Sequence, residues 1–157
     1  MKKNNKKYSV VIFLFILFLF LFQKTLADEN KYFISLKNNE VNVRIGPSKQ
    51  YPIKFIYNKK YLPLEILDKS DTWRKVKDLE NNSGWIHVSQ LSKKKTAINT
   101  LDNSFVYSKP TIYSKPIVKL ESGRLVIIKK CKNEWCKITS GGYIGWITKN
   151  SLWGKTK

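Results

Sequence analysis

Hydrophobic residues along the chain fall into short alternating segments. Apolar and polar positions alternate around Val41 and Val43, and again over 62–66. Turn-forming stretches such as GPSKQYP (46–52) and SGGYIG (140–145) separate segments rich in Val, Ile, Tyr, Phe and Trp. No useful length shows an apolar period of 3.6 residues, which argues against helices. Several short strands at near-regular spacing predict an all-β sandwich or barrel.

The strand pattern occurs twice, with copies about 61 residues apart. GWIHVSQL at 84–91 matches GWITKNSL at 145–152. A period this long exceeds that of solenoid repeats, so each copy is expected to be a small domain. The paired positions are Pro47 and Pro110, Trp73 and Trp135, Trp85 and Trp146, and Leu91 and Leu152.

Each copy is expected to form about five strands in a tightly curled barrel. The glycine of each Gly-Trp pair would allow backbones to approach closely, the tryptophan would cover an open end of the core, and the leucine would follow a short helical turn. The linker SKKKTAINT (92–100) lacks glycine and proline, so a rigid arrangement with the two barrels packed together is expected.

The first 27 residues have the layout of a secretory signal peptide. Lysines without any acid precede an unbroken apolar run over 10–22, and cleavage is expected between Ala27 and Asp28. A spanning helix needs about 20 apolar residues, so a permanent N-terminal anchor is the lesser alternative. We therefore expect an exported, periplasmic protein with a first domain at 28–98 and a second at 99–157.

The chain is strongly basic, with 30 Lys and Arg against 11 Asp and Glu and a net charge of +19. Five of the lysines and no acid lie in the expected signal, which leaves an excess of about 14 positive charges on the exported part. This charge favours anionic partners such as wall polymer, anionic lipid or nucleic acid. Compositional drift toward lysine in a low-GC genome is the other explanation.

The first copy resembles the bacterial SH3-like (SH3b) repeat. The motif NVRIGPS (42–48), the segment Trp73-Arg-Lys-Val and the pair Gly84-Trp85 fill the places of that family's pattern. The second copy departs at its start, where FVYSKPT stands at 105–111. The whole exported part is similar to an exported two-copy subfamily of α-proteobacterial type, whose second copy carries Cys-x4-Cys and ends in Leu-Trp-Gly.

The resemblance implies two tandem SH3-like barrels used for binding, often of cell-wall peptide or beside wall hydrolases. Peptidoglycan is the leading ligand class, and a scaffold role toward an envelope protein is the alternative. An inward Val43 would turn Asn42 and Arg44 to the outer face, which makes them the first candidates for ligand binding. The aromatic candidates are Tyr51, Trp73 and Trp85.

The residues that catalysis would need are not grouped in the sequence. His87 alternates with Ile86 and Val88 and is expected to be a solvated strand residue without a nucleophile beside it. The acids fall in turns rather than in the pairs that glycoside hydrolysis needs. We expect no enzyme activity, cofactor or metal, and export argues against nucleic acid as a partner. The oligomeric state has no signal in the sequence.

The two cysteines flank KNEW in a predicted hairpin. Across an antiparallel pair, the side chains of Cys131 and Cys136 would approach closely enough to form a bridge. An oxidising, exported setting favours a structural disulfide. Free or reactive thiols and metal ligation are the alternatives, although a redox dithiol would more often show Cys-x-x-Cys and a metal site would need more ligands.

Overall fold

The computed structural model describes residues 32–156, which belong to one compact unit. The expected signal peptide and its cleavage site at Ala27 and Asp28 lie outside the described residues. Over 32–156, the chain contains no helix long and apolar enough to cross a bilayer. The described part is built almost entirely of antiparallel strands arranged in two curled sheets, which we call the first and second barrels.

The first barrel is a seven-stranded sheet with the order β3-β2-β6-β5-β4-β1-β7. Five strands were expected. The additional ones, β1 and β7, pair with each other, and β1 also pairs with β4, so the chain on either side of the central meander closes the sheet. The strands are β1 Phe33–Leu36, β2 Val41–Arg44, β3 Ile53–Tyr57, β4 Pro63–Ser70, β5 Trp73–Lys77, β6 Ser83–His87 and β7 Leu91–Ser92.

The second barrel repeats this topology with the order β10-β9-β13-β12-β11-β8-β14. Segment 96–98, expected at the end of the first domain, lies in a strand of this sheet, because β8 pairs with both β11 and β14. The strands are β8 Thr96–Asn99, β9 Ser104–Tyr107, β10 Pro116–Leu120, β11 Leu125–Lys132, β12 Trp135–Ser140, β13 Tyr143–Thr148 and β14 Leu152–Gly154.

Each barrel bends its longest strand at the same place. In β4 the pairing passes from Ile66 to Asp68, and in β11 it passes from Ile128 to Lys130, so one residue is extra in each strand. Such a bulge bends a strand and increases its local twist. The repeated bulge allows an eight-residue strand to curl around a small core in both copies.

Each barrel has its own hydrophobic core, built mainly of aliphatic side chains. In the first barrel the alternation predicted for β2 is confirmed, since Val41 and Val43 are 1% and 0% exposed. The first core is formed by Leu36, Val41, Val43, Leu64, Val76, Ile86 and Leu91. The second is formed by Ala97, Val106, Leu120, Val126, Ile128, Cys136, Ile138 and Ile147.

The glycine of each Gly-Trp pair lets its strand approach the neighbouring strand closely, because glycine has no side chain. A Cβ added to Gly84 would lie 2.4 Å from Val43 Cγ1 and 2.9 Å from the carbonyl oxygen of Arg44. Gly145 has the same surroundings in the second barrel. Trp85, expected to cover an open end of the core, instead alternates with the buried Gly84 and Ile86, so it lies on the outer face of β6.

The leucine that ends each copy follows a short 3₁₀ turn, as predicted. One turn spans Val88–Gln90 and leads into Leu91, and the other spans Lys149–Ser151 and leads into Leu152. The two barrels contact each other at the strand that follows the second turn. Trp153 meets Phe33 of the first barrel edge to face, with ring centroids 5.0 Å apart.

The disulfide between Cys131 and Cys136 is confirmed. The two residues are direct partners across the β11–β12 hairpin, with Cα atoms 4.0 Å apart. The matched positions in the first barrel, Lys69 and Arg74, are also direct partners across the β4–β5 hairpin. The bridge therefore adds a covalent link to a pairing that both barrels share.

Candidate functional site

The outer face of strands β2, β6 and β5 collects the sequence-predicted binding residues. Asn42 is exposed and Arg44 is half-buried, so both lie opposite the core valines of β2. Arg44 pairs with Trp85 on β6, and His87, two residues further along β6, pairs with Trp73 on β5. These register positions place all five side chains on one face of the sheet.

The loop over 45–52 folds back along this face and is fastened to it. Arg44 Nη1 donates a hydrogen bond to the carbonyl oxygen of Tyr51 at 2.6 Å. The ring of Tyr51 lies against Gly46, where an added Cβ would come within 2.6 Å of it. Glycine at position 46 is therefore needed for this contact, and the folded loop carries Lys49 to the rim of the outer face.

A groove of about 290 Å³ lies between this loop and the 3₁₀ turn at Val88–Gln90. Trp73 is only 9% exposed although it is outside the aliphatic core, and it forms the most buried wall of the groove. The ring of His87 packs against it at 5.3 Å with an interplanar angle of 72°. The lining consists of Glu40, Asn42, Arg44, Lys49, Trp73, His87, Ser89 and Gln90.

His87 is half-buried rather than freely solvated, and it has a hydroxyl beside it. Its Nδ1 lies 2.8 Å from Ser89 Oγ and accepts a hydrogen bond from the backbone N–H of Ser89 at 3.3 Å. Both contacts join residues two positions apart, which is the local geometry of a side chain capping a turn. The imidazole therefore fixes the 3₁₀ turn that forms one side of the groove.

The polar groups of the groove suit a ligand that carries a carboxylate and amides. Arg44 uses one guanidinium nitrogen for the Tyr51 carbonyl and has further N–H donors, which suit a carboxylate fork. Lys49 adds a second positive charge and Glu40 a negative one. Asn42 and Gln90 offer both donors and acceptors, as a peptide backbone requires.

The structure brings three of the predicted residues, Asn42, Arg44 and Trp73, into the groove lining. Tyr51 contributes its carbonyl oxygen by holding Arg44. Trp85 lies beside Arg44 on the same face but is outside the groove lining. Sequence reasoning missed Glu40, Lys49, His87, Ser89 and Gln90. For His87 a signal was present, because it shares its strand face with Trp85 two residues earlier.

The matching face of the second barrel has aromatic residues in place of the polar ones. Phe105 and Tyr107 occupy the places of Asn42 and Arg44, and Thr148 occupies the place of His87. The ring of Tyr107 packs against Trp135 at 5.8 Å with an interplanar angle of 84°. The guanidinium and imidazole of the first face therefore have no counterpart on the second.

The described residues also bear on metal binding. Over 32–156, no group of three or more His, Cys, Asp or Glu side chains is arranged to hold a metal ion.

Comparison with known families decides the classification. A family profile described as "Bacterial SH3 domain" matches residues 37–93 and 102–154, which is more than half of the chain. The chain belongs to the bacterial SH3 domain family. The two matched ranges correspond to the two barrels, so the bacterial SH3 fold is present in two tandem copies. The narrower likeness to a two-copy α-proteobacterial subfamily stays a prediction.

Solved structures similar to this bacterial SH3 protein include two from Trichomonas vaginalis. NlpC2 is 18% identical, with a TM-score of 0.38 over 82% of this chain and 50% of that one. NlpC1 is 17% identical, with a TM-score of 0.36 over 83% of this chain and 48% of that one. The chain spans about half the length of these two proteins. No curated protein matches the chain.

Proposed function

We propose that this chain is an exported, non-enzymatic binding protein whose first barrel recognises a carboxylate-bearing peptide of the cell envelope, with peptidoglycan as the leading ligand. The observation that carries the proposal is the groove around Arg44. The bacterial SH3 family supports a binding role, and the basic composition supports an anionic partner. Export rests on the signal-like segment at the N-terminus.

Arg44 supports recognition because its position is already set in the free protein. The hydrogen bond to the Tyr51 carbonyl limits the guanidinium to one side of the groove. A side chain held in this way loses less conformational entropy when a ligand binds. Trp73 and His87 offer a half-buried aromatic wall, against which the aliphatic part of a peptide can pack.

The absence of catalysis is part of the proposal. Ser89 and His87 are the pair in the groove that most resembles a nucleophile and a base, with Oγ and Nδ1 2.8 Å apart. That same nitrogen accepts the backbone N–H of Ser89, so it serves the turn. A base also needs an orienting partner on its other nitrogen. Among the described hydrogen bonds, none is made by His87 Nε2.

Sedimentation with purified sacculi over a series of salt concentrations tests this function. We expect the full chain to sediment with sacculi, and most of the binding to persist as salt is raised. Arg44→Gln should weaken capture about tenfold, because a charge-assisted hydrogen bond is lost. The matched control is Arg124→Gln, which removes the same charge from an exposed position in the second barrel.

Three outcomes would overturn the proposal. Failure of the wild-type chain to sediment at low salt would remove peptidoglycan as the ligand. Equal losses for Arg44→Gln and Arg124→Gln would mean that bulk charge rather than the groove is responsible. Release of soluble wall fragments during incubation, abolished by Ser89→Ala, would show that the protein is an enzyme.

A protein partner is the second candidate, and it is favoured by the apolar surface of the second barrel. In the loop between β9 and β10, Tyr113 is 92% exposed and Ile112 is 60% exposed. Phe105, Ile117 and Ile144 are exposed on the adjoining strands. Cross-linking in envelope extract should then give a product that Ile112→Ser with Tyr113→Ser abolishes and Arg44→Gln retains.

A further inference from the structure

A second surface of the first barrel carries six exposed lysines, none of which lines the groove around Arg44. Hydrogen bonds bring three segments together: Tyr61 N–H donates to the Leu36 carbonyl at 3.0 Å, and Ser35 Oγ donates to the Lys94 carbonyl at 3.1 Å. We call the resulting surface the lysine patch. It comprises Lys37, Lys59, Lys60, Lys93, Lys94 and Lys95.

Tyr61 lies within the patch and holds two of its lysines. The ammonium groups of Lys94 and Lys60 lie over the Tyr61 ring, at 4.6 Å and 5.2 Å from the centroid. The ring is half-buried, and its backbone has a φ of 66°. Cation–π contacts therefore place these charges on the surface without neutralising them.

The positive charge of the patch is poorly compensated. Among residues 32–156, no carboxylate comes within ion-pairing distance of any of the six lysines. Lys59 also lines a cavity of about 260 Å³ with Arg124 of the second barrel, which extends the positive surface across both barrels. Glu121 lines the same cavity, and its negative charge lowers the positive electrostatic potential there. The strongest field is therefore expected around Tyr61 rather than in the cavity.

We propose that the lysine patch docks the protein on a membrane surface of anionic phospholipid. Exposed lysines are attracted to anionic headgroups without the need for a shaped pocket. Tyrosine is favoured at the headgroup level, where one end of the ring is apolar and the other is wet. Single-stranded nucleic acid fits less well, because base stacking needs a free aromatic face and two ammonium groups already lie over Tyr61.

Co-sedimentation of the full chain with lipid vesicles tests the proposal. One set of vesicles is phosphatidylcholine alone and the other contains phosphatidylglycerol. The patch variant is K93Q/K94Q/K95Q, and the matched control is K119Q/K129Q/K132Q, which removes the same charge from exposed positions of the second barrel. All chains keep the same N-terminal apolar segment, so differences between them report on the substituted lysines.

We expect the wild-type chain to prefer vesicles with phosphatidylglycerol and the patch variant to bind them on the order of 100-fold more weakly. The control should lose much less. Arg44→Gln should bind vesicles as the wild type does, so failure of the groove proposal and failure of this one can be told apart. Equal losses for both triple variants, no preference for anionic lipid, or patch-dependent binding to RNA instead of vesicles would each overturn the proposal.

Discussion

The two barrels share a backbone and differ on one outer face. Gly84 and Gly145, the bulges in β4 and β11, and the two 3₁₀ turns occupy matched places. On the face of β2, β5 and β6 the first barrel carries Asn42, Arg44 and His87, whereas the second carries Phe105, Tyr107 and Thr148 at the matched positions.

The positions that the two copies share form the barrel fold, and the positions that differ form the groove of the first copy. Several core positions keep an aliphatic side chain in both copies, such as Val43 with Val106 and Val76 with Ile138, because a small core tolerates little change in volume. On the outer face, Tyr107 packs on Trp135 where the first barrel has a polar groove. The second barrel therefore lacks this polar groove, and the contact between Trp153 and Phe33 joins it to the first barrel.

The largest effect is expected from the glycines that the barrels share. Gly84→Ala would place a Cβ 2.4 Å from Val43 Cγ1, and Gly145→Ala would place one 2.6 Å from Val106 Cγ1. Each substitution should lower the free energy of unfolding by about 3 kcal/mol, since the backbone must shift. Chemical denaturation measures this loss, with the exposed Ser108→Ala as control. A loss below about 1 kcal/mol for one glycine but not the other would show that the Gly-Trp positions of the two barrels are not equivalent.

The next largest effect on stability is expected from the disulfide, which only the second barrel has among the described residues. C131S/C136S removes a short covalent loop, and the chain-entropy model gives a loss of about 2 kcal/mol. K69S/R74S changes the matched hairpin of the first barrel, which has no bridge, and should cost much less. Amide hydrogen exchange should accelerate over 124–140 in the cysteine variant. Faster exchange over 63–77 in that variant would contradict a local role for the bridge.

Exchanging outer-face residues between the barrels tests whether the groove residues account for the expected difference in ligand binding. N42F/R44Y gives the first barrel the side chains of the second and should reduce capture by sacculi about tenfold, through loss of the guanidinium contacts. The reverse variant, F105N/Y107R, should gain no binding, because Thr148 stands where the first barrel has His87. Retained binding of sacculi by N42F/R44Y would show that the groove is not the binding site.

The smallest effect concerns a tyrosine that the first barrel alone uses to hold a turn. Asp78 is buried and accepts hydrogen bonds from Tyr57 Oη at 3.0 Å and from the backbone N–H groups of Glu80 and Asn82. Burial and the nearby Asp78 carboxylate raise the pKa of Tyr57 well above its usual value. The second barrel has Leu120 at the matched position.

Because the folded-state pKa of Tyr57 is raised, its contribution to stability is complete below about pH 10 and is lost as pH rises beyond that value. Tyr57→Phe should cost about 1 kcal/mol at neutral pH and reduce the alkaline loss. Denaturation curves at neutral and alkaline pH measure both changes. An unchanged alkaline loss in Tyr57→Phe would assign it to another group.

Local pattern predicted the features that depend on near neighbours. The alternation around Val43 predicted that Asn42 and Arg44 face outward. The sequence around the two cysteines predicted that Cys131 and Cys136 lie opposite each other across one hairpin. Features that depend on distant pairing were missed. The strand β1 became part of the first sheet only through contacts with β4 and β7, which a four-residue segment does not reveal.

The groove was predicted in part for the same reason. Strand alternation gives the face on which a side chain lies, but it does not give the neighbour across the sheet. The contact between His87 and Trp73 depends on the register of β5 and β6. Lys49 lies at the groove because the loop that carries it is folded back by the contacts of Arg44 and Gly46 with Tyr51. A hydrophobic pattern does not predict the conformation of such a loop.

The most direct test of ligand binding in the first-barrel groove is an NMR titration of the full chain with a soluble peptidoglycan stem peptide. Trp73 and Trp135 occupy matched positions, and each gives its own indole N–H signal. We expect the Trp73 indole and the Asn42 side-chain amide signals to shift with added peptide, while the Trp135 indole signal stays in place. Movement of Trp135 with Trp73 unchanged, or equal movement of both, would contradict binding in this groove.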